Sequence, residues 1–401
     1  MITVNEADKI IAASLKLFPV ELRPLTKAYG AVLREELRAD RDQPAFDKAL
    51  ADGIAIDVLS WQQGDKHLKI EGTQAAGQKA LRLKDKKNGC IKIMTGAVLP
   101  EGCNCVVPVE ELTIVDLAVH INDINLKPGQ NIRPRGADCK KGDLLVKPGL
   151  RLLPPQVAIA ASVGKSKIKV SKNFRVAIIS NGNELVNIDK KSIKPFEIRK
   201  SNSYALDATL RGTNLCESKM FHFPDNKALM RRGITKILNS FDVLVLSGGV
   251  SMGEFDYIPP VLKELKVDVL FHKVKQKPGK PFWFGKNKQG KVVFALPGNP
   301  VSTQICAYRY VIPYLKQAAG LAPDAPVAIL GHHVNSPTDF TYFLPVRMHY
   351  NEFGQFEAIP VETGGSGDYG SLGDTDGFIE LAGGQKEFLK GYKVPFFSWK
   401  T

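Results

Sequence analysis

The segment Phe241-Asp242-Val243-Leu244-Val245-Leu246 runs straight into Ser247-Gly248-Gly249-Val250-Ser251-Met252-Gly253-Glu254-Phe255-Asp256-Tyr257, and no other junction constrains the fold as much. A short apolar run rich in β-branched residues reads as a buried strand rather than a helix. The glycines behind it let the backbone turn sharply and approach a ligand without interference from Cβ atoms. Asp256 then stands just before a helix-like stretch, Ile258 to Leu265. In an open parallel sheet, a loop leaving the carboxyl end of a strand is where ligands bind. An ordinary strand-to-helix turn would look the same in isolation, so the surrounding pattern has to decide.

That pattern is α/β from about residue 173. Phe174-Arg175-Val176-Ala177-Ile178-Ile179 reads as a strand entering Asn181-Gly182-Asn183-Glu184, and a helix is expected around Ser203 to Leu210. Val267 to Val274 and Lys291 to Ala295 supply further strands. The second of these enters Pro297-Gly298-Asn299-Pro300-Val301-Ser302, which opens a helix to about Ala319. Strands alternating with helices predict a mostly parallel sheet. Upstream, residues 5 to 17 have helical periodicity with Asn5 as N-cap, and a second helix is expected after Pro24 through Ala31, Val32 and Leu37. From 45 to 132 the texture is short alternating runs, such as His67 to Ile70 and Val119 to Ile121, broken by Gly and Asn. This predicts a small all-β unit. Pro154 and Pro155 suit a helix start, and after Pro323 the chain returns to a glycine-rich β texture.

Three polar loops, at 181–184, 247–257 and 297–302, therefore fall at the carboxyl ends of expected parallel strands and predict one crevice. Pro300 at a helix start, beside Gly298 and Ser302, offers backbone N–H groups to an anion. Lys277-Pro278-Gly279-Lys280-Pro281 is a turn stiffened by two prolines that presents two ammonium groups. Carboxylates such as Glu184 and Asp256 among anion-binding groups suit Mg²⁺. The alternatives are a helix-capping acid for Glu184 and a solvated turn for Lys277.

Several classes are excluded. A chain of 401 residues needs more than one core, and 44% apolar with 24% charged residues is the balance of a folded globular protein. The net charge of +14 has no basic block interleaved with aromatics, so no nucleic-acid partner is expected. No apolar run nears the roughly 20 residues that span a bilayer. Glu6, Asp8 and Lys9 stand where a signal peptide needs apolar residues, so a cytoplasmic location is expected. Six scattered cysteines show no framework spacing. Dispersed histidines support neither a nucleophilic triad nor a histidine–metal centre, and the Lys-Ser/Thr phosphate loop is absent. Anion or phosphate transfer organised by Mg²⁺ and lysines fits better than covalent catalysis.

Taken together the motifs resemble those of the bacterial molybdopterin molybdenumtransferases, which are related to the C-terminal part of gephyrin. The resemblance rests on Asp52-Gly53, Ile93 to Ala97, Asn131 to Arg133 with Arg135 to Asp138, Gly182 to Leu185, the 247–257 loop, Lys277 to Pro281 and Pro297 to Pro300, all in the family's order. It implies a multi-domain α/β protein: an elongated helical, dimerising part (1–44 with 133–172), an inserted β domain (45–132), a molybdopterin-binding α/β domain (173–322) and a C-terminal β-barrel (323–401). It implies a homodimer whose cleft joins α/β loops of one subunit to insertion residues of the other. Molybdopterin adenylyltransferase and molybdoenzyme apoproteins are the candidate protein partners.

The implied chemistry is Mg²⁺-dependent insertion of molybdate into adenylylated molybdopterin with release of AMP. By position, Glu184, Asp225 and Asp256 match the family's acids, with Glu184 and Asp256 as metal ligands, and Lys273 and Lys277 match its anion-binding lysines. Asp52, Thr95 and Asp138 match functional positions in the other half of the cleft. Substrate contacts fall on Ser247, Gly248, Gly249, Ser251, Gly253, Lys280, Pro297, Gly298, Asn299, Pro300 and Ser366. The chain departs from the family at Ala49-Leu50-Ala51-Asp52-Gly53-Ile54-Ala55, where a hydroxyl, a thioether and a phenol are lost beside the acid. It departs again at Asn181-Gly182-Asn183-Glu184, where one carboxylate has become an amide, and at Pro345 in place of an arginine, with Arg347 nearby. These changes keep open a tungstate-inserting paralogue and a non-catalytic molybdopterin-binding scaffold.

Overall fold

The computed structural model describes residues 1–115, 118–122, 125–250 and 256–400. The chain divides into two units, one of Met1–Arg34, Pro148–Leu153 and Lys167–Thr401, the other of Glu35–Lys147 and Pro154–Ser166.

In the larger unit, α1 (Val4–Ala13) is capped by Thr3, whose side chain forms a capping box with Glu6, so the cap lies two residues before Asn5. The helix expected after Pro24 does not form. Leu25–Lys27 is a single 3-10 turn, after which Val32 and Leu33 make isolated strand bridges to Arg151 and Val170. Long-range pairing has overridden a local helical pattern there.

The α/β part contains β1 (Phe174–Asn181), α2 (Ser201–Gly212), β2 (Cys216–Phe223), α3 (Lys227–Ser240), β3 (Val243–Ser247), α4 (Ile258–Glu264), β4 (Val267–His272), β5 (Trp283–Asn287) and β6 (Val292–Leu296). The sheet order is β2-β1-β3-β6-β5-β4, with the first four strands parallel and β5 antiparallel to both its neighbours, β6 and β4. Both faces are covered, which is why the central strands read as unbroken apolar runs. Val176, Ile178, Val243, Val245, Val292 and Phe294 pack to one side with Leu206 and Leu210 of α2. Ala177, Ile179, Leu244, Leu246, Val293 and Ala295 pack to the other with Met230, Ile234, Ile237 and Leu238 of α3. In α3, positions 230, 234, 237 and 238 carry the helix period, and Asn226 caps it by accepting from the Leu229 N–H.

The helix expected from Pro300 to Ala319 forms as Pro300–Cys306, a π-turn Ala307–Val311, and Ile312–Ala318. Pro313 has no N–H for the carbonyl four residues before it, and the widened turn falls across that gap.

The C-terminal region closes into a barrel of β7 (Val327–Leu330), β8 (Thr341–Tyr350), β9 (Phe356–Pro360), β10 (Gly377–Leu381) and β11 (Lys393–Ser398). Successive pairs β8–β9, β9–β7, β7–β11, β11–β10 and β10–β8 complete the ring. Closure removes the exposed edge an open sheet would present. The short strand Gln276–Lys277 pairs in parallel with the start of β8, joining the lysine turn to the barrel wall.

The smaller unit holds a six-stranded sheet whose members include Gly53–Ile56, Gly89–Ile93 and Cys105–Pro108, together with the helix Pro154–Ser162. Gly53 is fixed there by crowding. A Cβ on it would stand 1.8 Å from the Val107 carbonyl oxygen, so no other residue fits beside Asp52. Among the described residues, no helix is long and apolar enough to cross a membrane.

Candidate functional site

β1, β3 and β6 are adjacent and parallel, and they end at Asn181, Ser247 and Leu296. The three polar loops predicted from sequence therefore leave one edge of the sheet side by side. Two cavities lie along that edge. A cavity of about 400 Å³ is lined by Ser180, Asn181, Glu184, Arg199, Lys200, Asn202, Ser247, Gly248, Gly298, Asn299 and Pro300. A second, of about 430 Å³, is lined by Lys277, Lys280, Pro297, Gly298, Asn299 and Ser366 with Phe340, Tyr342, Phe343 and Pro345 from the barrel. Gly298 and Asn299 belong to both walls.

The first cavity combines acceptor oxygens with the cationic side chains of Arg199 and Lys200. Glu184 lines it, and Asp225 lies at its rim, where its carboxylate accepts from the Asn183 N–H at 3.1 Å and from Asn181 Nδ2 at 3.5 Å. Asn183 returns the bond, its Oδ1 accepting from the Asp225 N–H at 3.1 Å. The amide that replaced a carboxylate at 183 thus holds Asp225 in place. Asn181 is buried, and its Oδ1 has no hydrogen-bond partner among the described residues. Close by, Ser180 Oγ lies 3.2 Å from His222 Nδ1. Burial, with help from Lys200, lowers the His222 pKa and keeps the ring neutral at pH 7.

The second cavity is cationic with an aromatic wall. Gln276 is buried behind it, and its Nε2 donates to the carbonyls of Gly279 and Pro278, at 3.2 and 3.4 Å, while Tyr310 donates its hydroxyl to Gln276 Oε1. This network sets the turn that carries Lys277 and Lys280. Gly279 adopts φ +97°, and a Cβ there would meet Gln276 Nε2 at 2.6 Å and Cys306 Sγ at 2.8 Å. Burial pushes the Cys306 thiol up to about 12, so it is protonated at neutral pH and offers no nucleophile. Gly279→Ala is expected to lower the stability of this unit by about 1–3 kcal/mol through backbone strain. Denaturant titration with wild-type stability would refute this.

Ser366 sits at the start of the last α/β helix. Its Oγ accepts from Asn299 Nδ2 at 2.7 Å and its carbonyl accepts from the Val301 N–H at 3.2 Å. The helix start is therefore partly capped by the barrel region rather than left open to an anion. Lys273 is half-buried in a left-handed conformation, φ +73°, with its backbone bonded to Phe282 and Ile2; it does not line the lysine cavity. Arg347 is also absent from that wall and pairs with Asp374, whereas Pro345 faces the cavity. Asp256 lies just before α4, and Ser251 and Gly253 fall outside the described residues.

In the smaller unit, Asp52 does not bond its own turn. Its Oδ1 accepts from the Thr95 N–H at 2.6 Å and from Thr95 Oγ1 at 3.0 Å. The Thr95 backbone bond, then its hydroxyl, hold the Asp52 carboxyl below its ordinary pKa. Asp138 pairs with Arg133. Ala49 and Leu50 run between these two pairs, bonded to Ala97 and Gly96 on one side and to Asn131 on the other. Thr95→Val is expected to raise the Asp52 pKa while leaving it below the unfolded value, because the backbone donor remains. An NMR titration showing no upward shift would refute the hydroxyl's part.

Sequence alone did not mark Gln276, Phe340, Tyr342, Phe343 or Asn202 as wall residues. Only Asn202 carried a local sign, a Ser-Asn-Ser triplet at a helix start. Among the described residues no group of three or more His, Cys, Asp and Glu forms a metal cluster.

Strand order, strand direction and loop placement define the class: an α/β protein that takes up ligand at the carboxyl ends of its central strands, with a closed barrel contributing to the wall. Comparison with known proteins narrows this. Residues 2–164 match the MoeA N-terminal region (domain I and II), 177–317 a probable molybdopterin binding domain, and 327–399 the MoeA C-terminal region (domain IV). The molybdopterin molybdenumtransferase of Synechocystis is 37% identical over 401 residues, covering 100% of both chains, and that of Bacillus subtilis is 30% identical, covering 98% of this chain and 93% of its own. The crystal structure of a molybdopterin biosynthesis MoeA protein from Pyrococcus horikoshii superposes with a TM-score of 0.83 at 31% identity, covering 100% of both chains. The chain belongs to the molybdopterin molybdenumtransferase family, transferases of molybdenum cofactor biosynthesis.

Proposed function

We propose that this chain inserts molybdate into adenylylated molybdopterin, with Mg²⁺, and releases AMP. The observation that carries the proposal is the pair of cavities sharing the Gly298–Asn299 wall, one carrying Lys277 and Lys280, the other Glu184 with side-chain amides and hydroxyls beside Arg199 and Lys200. Lys277 and Lys280, with Ser366, suit an oxyanion, because ammonium and hydroxyl groups donate to its oxygens. The oxygen-lined cavity suits the cation that accompanies the substrate's phosphates.

The donors near it fit Mg²⁺. Glu184 and Asn181 supply oxygen ligands, the buried Asn181 Oδ1 has no partner among the described residues, and Mg²⁺ needs few protein ligands because it retains water. Glu184 and Asp256 would hold it, with Asp225 beside them, and it would neutralise charge on the phosphoanhydride. The chain's own residues position the two anions. The lysines hold the oxyanion, and Asn183 fixes Asp225 at the rim. Cleavage of a phosphoanhydride depends mainly on positioning and charge stabilisation, which this arrangement supplies without a side-chain nucleophile.

The division into residues 1–44 with 133–172, 45–132, 173–322 and 323–401 belongs to the same proposal, as does a homodimer in which Asp52, Thr95 and Asp138 complete the partner's cleft. The direct test incubates the purified chain with adenylylated molybdopterin, Mg²⁺ and either molybdate or tungstate, then measures AMP and active cofactor. AMP release dependent on oxyanion and Mg²⁺ is expected. Binding without release would replace the enzyme by a scaffold, and release with tungstate alone would change the oxyanion. Mixed dimers of Asp52→Ala and Asp256→Ala subunits test the action in trans. Activity should return to roughly a quarter of wild type from random mixing of independent sites, since electrostatic contacts of this kind are needed within one cleft. No recovery from subunits shown to exchange would refute it.

A further inference from the structure

Asn202 lies in the first turn of α2, where its residue type is unusual. Asn near a helix start is favoured as the N-cap, with its side chain bonded to the helix's own N–H groups. Here the N-cap is Lys200, which makes no side-chain cap bond, and Asn202 is already helical. Its Nδ2 instead reaches three groups distant in sequence: the Gly298 carbonyl at 2.7 Å, Ser247 Oγ at 2.9 Å and Thr303 Oγ1 at 3.2 Å. The proton directions can be worked out. Thr303 Oγ1 lies 2.6 Å from the Pro297 carbonyl and gives its hydrogen there, so it accepts from Asn202. The Gly298 carbonyl can only accept. The amide nitrogen can only donate, its two N–H groups being shared among three acceptors, and a side chain without a hydrogen-bond donor cannot replace it.

Ser247 and Leu296 are register partners at the ends of β3 and β6. The Gly248 N–H still donates to the Leu296 carbonyl at 3.1 Å; past that bond the two loops leave the sheet, and Asn202 links Ser247 to Gly298 across them. We infer that Asn202 is a positioning residue that ties the glycine loop after β3 to the Pro297–Asn299 turn after β6, and thereby sets the wall shared by the two cavities. Gly248 and Gly298 already approach closely, a Cβ on Gly298 falling 3.5 Å from the Gly248 Cα. A slip of either loop would therefore reshape both cavities together.

The test uses the full-length chain with Asn202→Asp and Asn202→Ala. Asp keeps the shape, but its ionised form points an oxygen at the Gly298 carbonyl oxygen and donates nothing. Hydrogen exchange in the ligand-free protein is expected to speed about tenfold at amides of 247–250 and 297–303 in both variants near neutral pH, with β1 and the barrel unchanged. The activity arm rests on the AMP-releasing function proposed above. The acceptor oxygens around position 202 should raise the pKa of an Asp there. The kcat/KM of Asn202→Asp relative to wild type should therefore rise about tenfold between about pH 8 and about pH 5, as the protonated acid regains a donor. The same ratio for Asn202→Ala should stay flat. Wild-type exchange in both variants, or a flat pH ratio for Asn202→Asp, overturns the assignment. A wild-type chain that releases no AMP, together with loop-confined exchange changes in the variants, would remove the proposed function and leave the tie between the loops standing.

Discussion

Lys277→Ala is expected to lower AMP release about a hundredfold while leaving the fold and the Mg²⁺ dependence of the residual activity intact, a loss of about 3 kcal/mol of charge stabilisation. The lysine stands on the strand Gln276–Lys277, one residue from a buried glutamine that fixes the following turn, and its exposed side lines the cavity that suits an oxyanion. Its backbone geometry depends on Gln276 and the barrel strand rather than on its own side chain, so removing the ammonium should not disturb the wall. Losing a charge that faces the bound anion should be felt as a higher requirement for oxyanion as well as slower turnover. Arginine at this position is not expected to restore full activity, since its planar fork presents donors in a different geometry. Steady-state kinetics of Lys277→Ala within twofold of wild type would show that the cavity does not hold the reacting anion.

Arg309→Met is expected to destabilise the larger unit by about 3–5 kcal/mol, because it leaves two carboxylates without their partner. The guanidinium is largely buried in the π-turn. It makes a bidentate pair with Asp8 of α1, at 2.8 and 2.7 Å, and its Nε donates to Glu380 of β10 at 2.7 Å. It also lies 5.1 Å from the Tyr310 ring and 5.3 Å from the Phe397 ring. Burial alone would favour the neutral form, but Glu380 and Asp8 outweigh it and raise the arginine's pKa further. One side chain thus joins the N-terminal helix, the α/β helix and the barrel. Adding Glu380→Gln to Arg309→Met should recover part of the loss, since the remaining buried charge is then removed. Denaturant titrations in which Arg309→Met costs less than about 1 kcal/mol, or in which Glu380→Gln makes the double variant worse, would refute this account.

Much of the α/β architecture was legible because both faces of its central strands are buried. Phe174–Asn181, Val243–Ser247 and Val292–Leu296 read as apolar runs, and each is followed by a loop of turn-forming residues. The failures have particular causes. The stretch after Pro24 has helical spacing, but its strand bridges to Arg151 and Val170 were invisible locally. The widening at Ala307–Val311 follows from Pro313, whose missing N–H acts on the turn before it. The helix Lys227–Ser240 did carry the period of its buried face, yet Gly233 and Thr235 in its middle weaken the local helical preference.

The sequence by itself determined the strands Phe174–Asn181, Val243–Ser247, Val267–His272 and Val292–Leu296 and where their loops leave, because side-chain periodicity and turn chemistry are local. Cys216–Phe223 and Trp283–Asn287 emerged only in the structure. It also supplied the residue types at the site: acids and amides at 181–184, lysines at 277 and 280, and Asp-Gly at 52–53. Only the tertiary structure decided what those residues touch. It set Pro345, Phe340 and Tyr342 opposite Lys277, placed Ser366 on the start of the last α/β helix, and directed the Asn202 amide across two loops rather than onto its own helix. Contacts between residues tens of positions apart depend on the register and closure of whole sheets, and no short stretch of sequence encodes those.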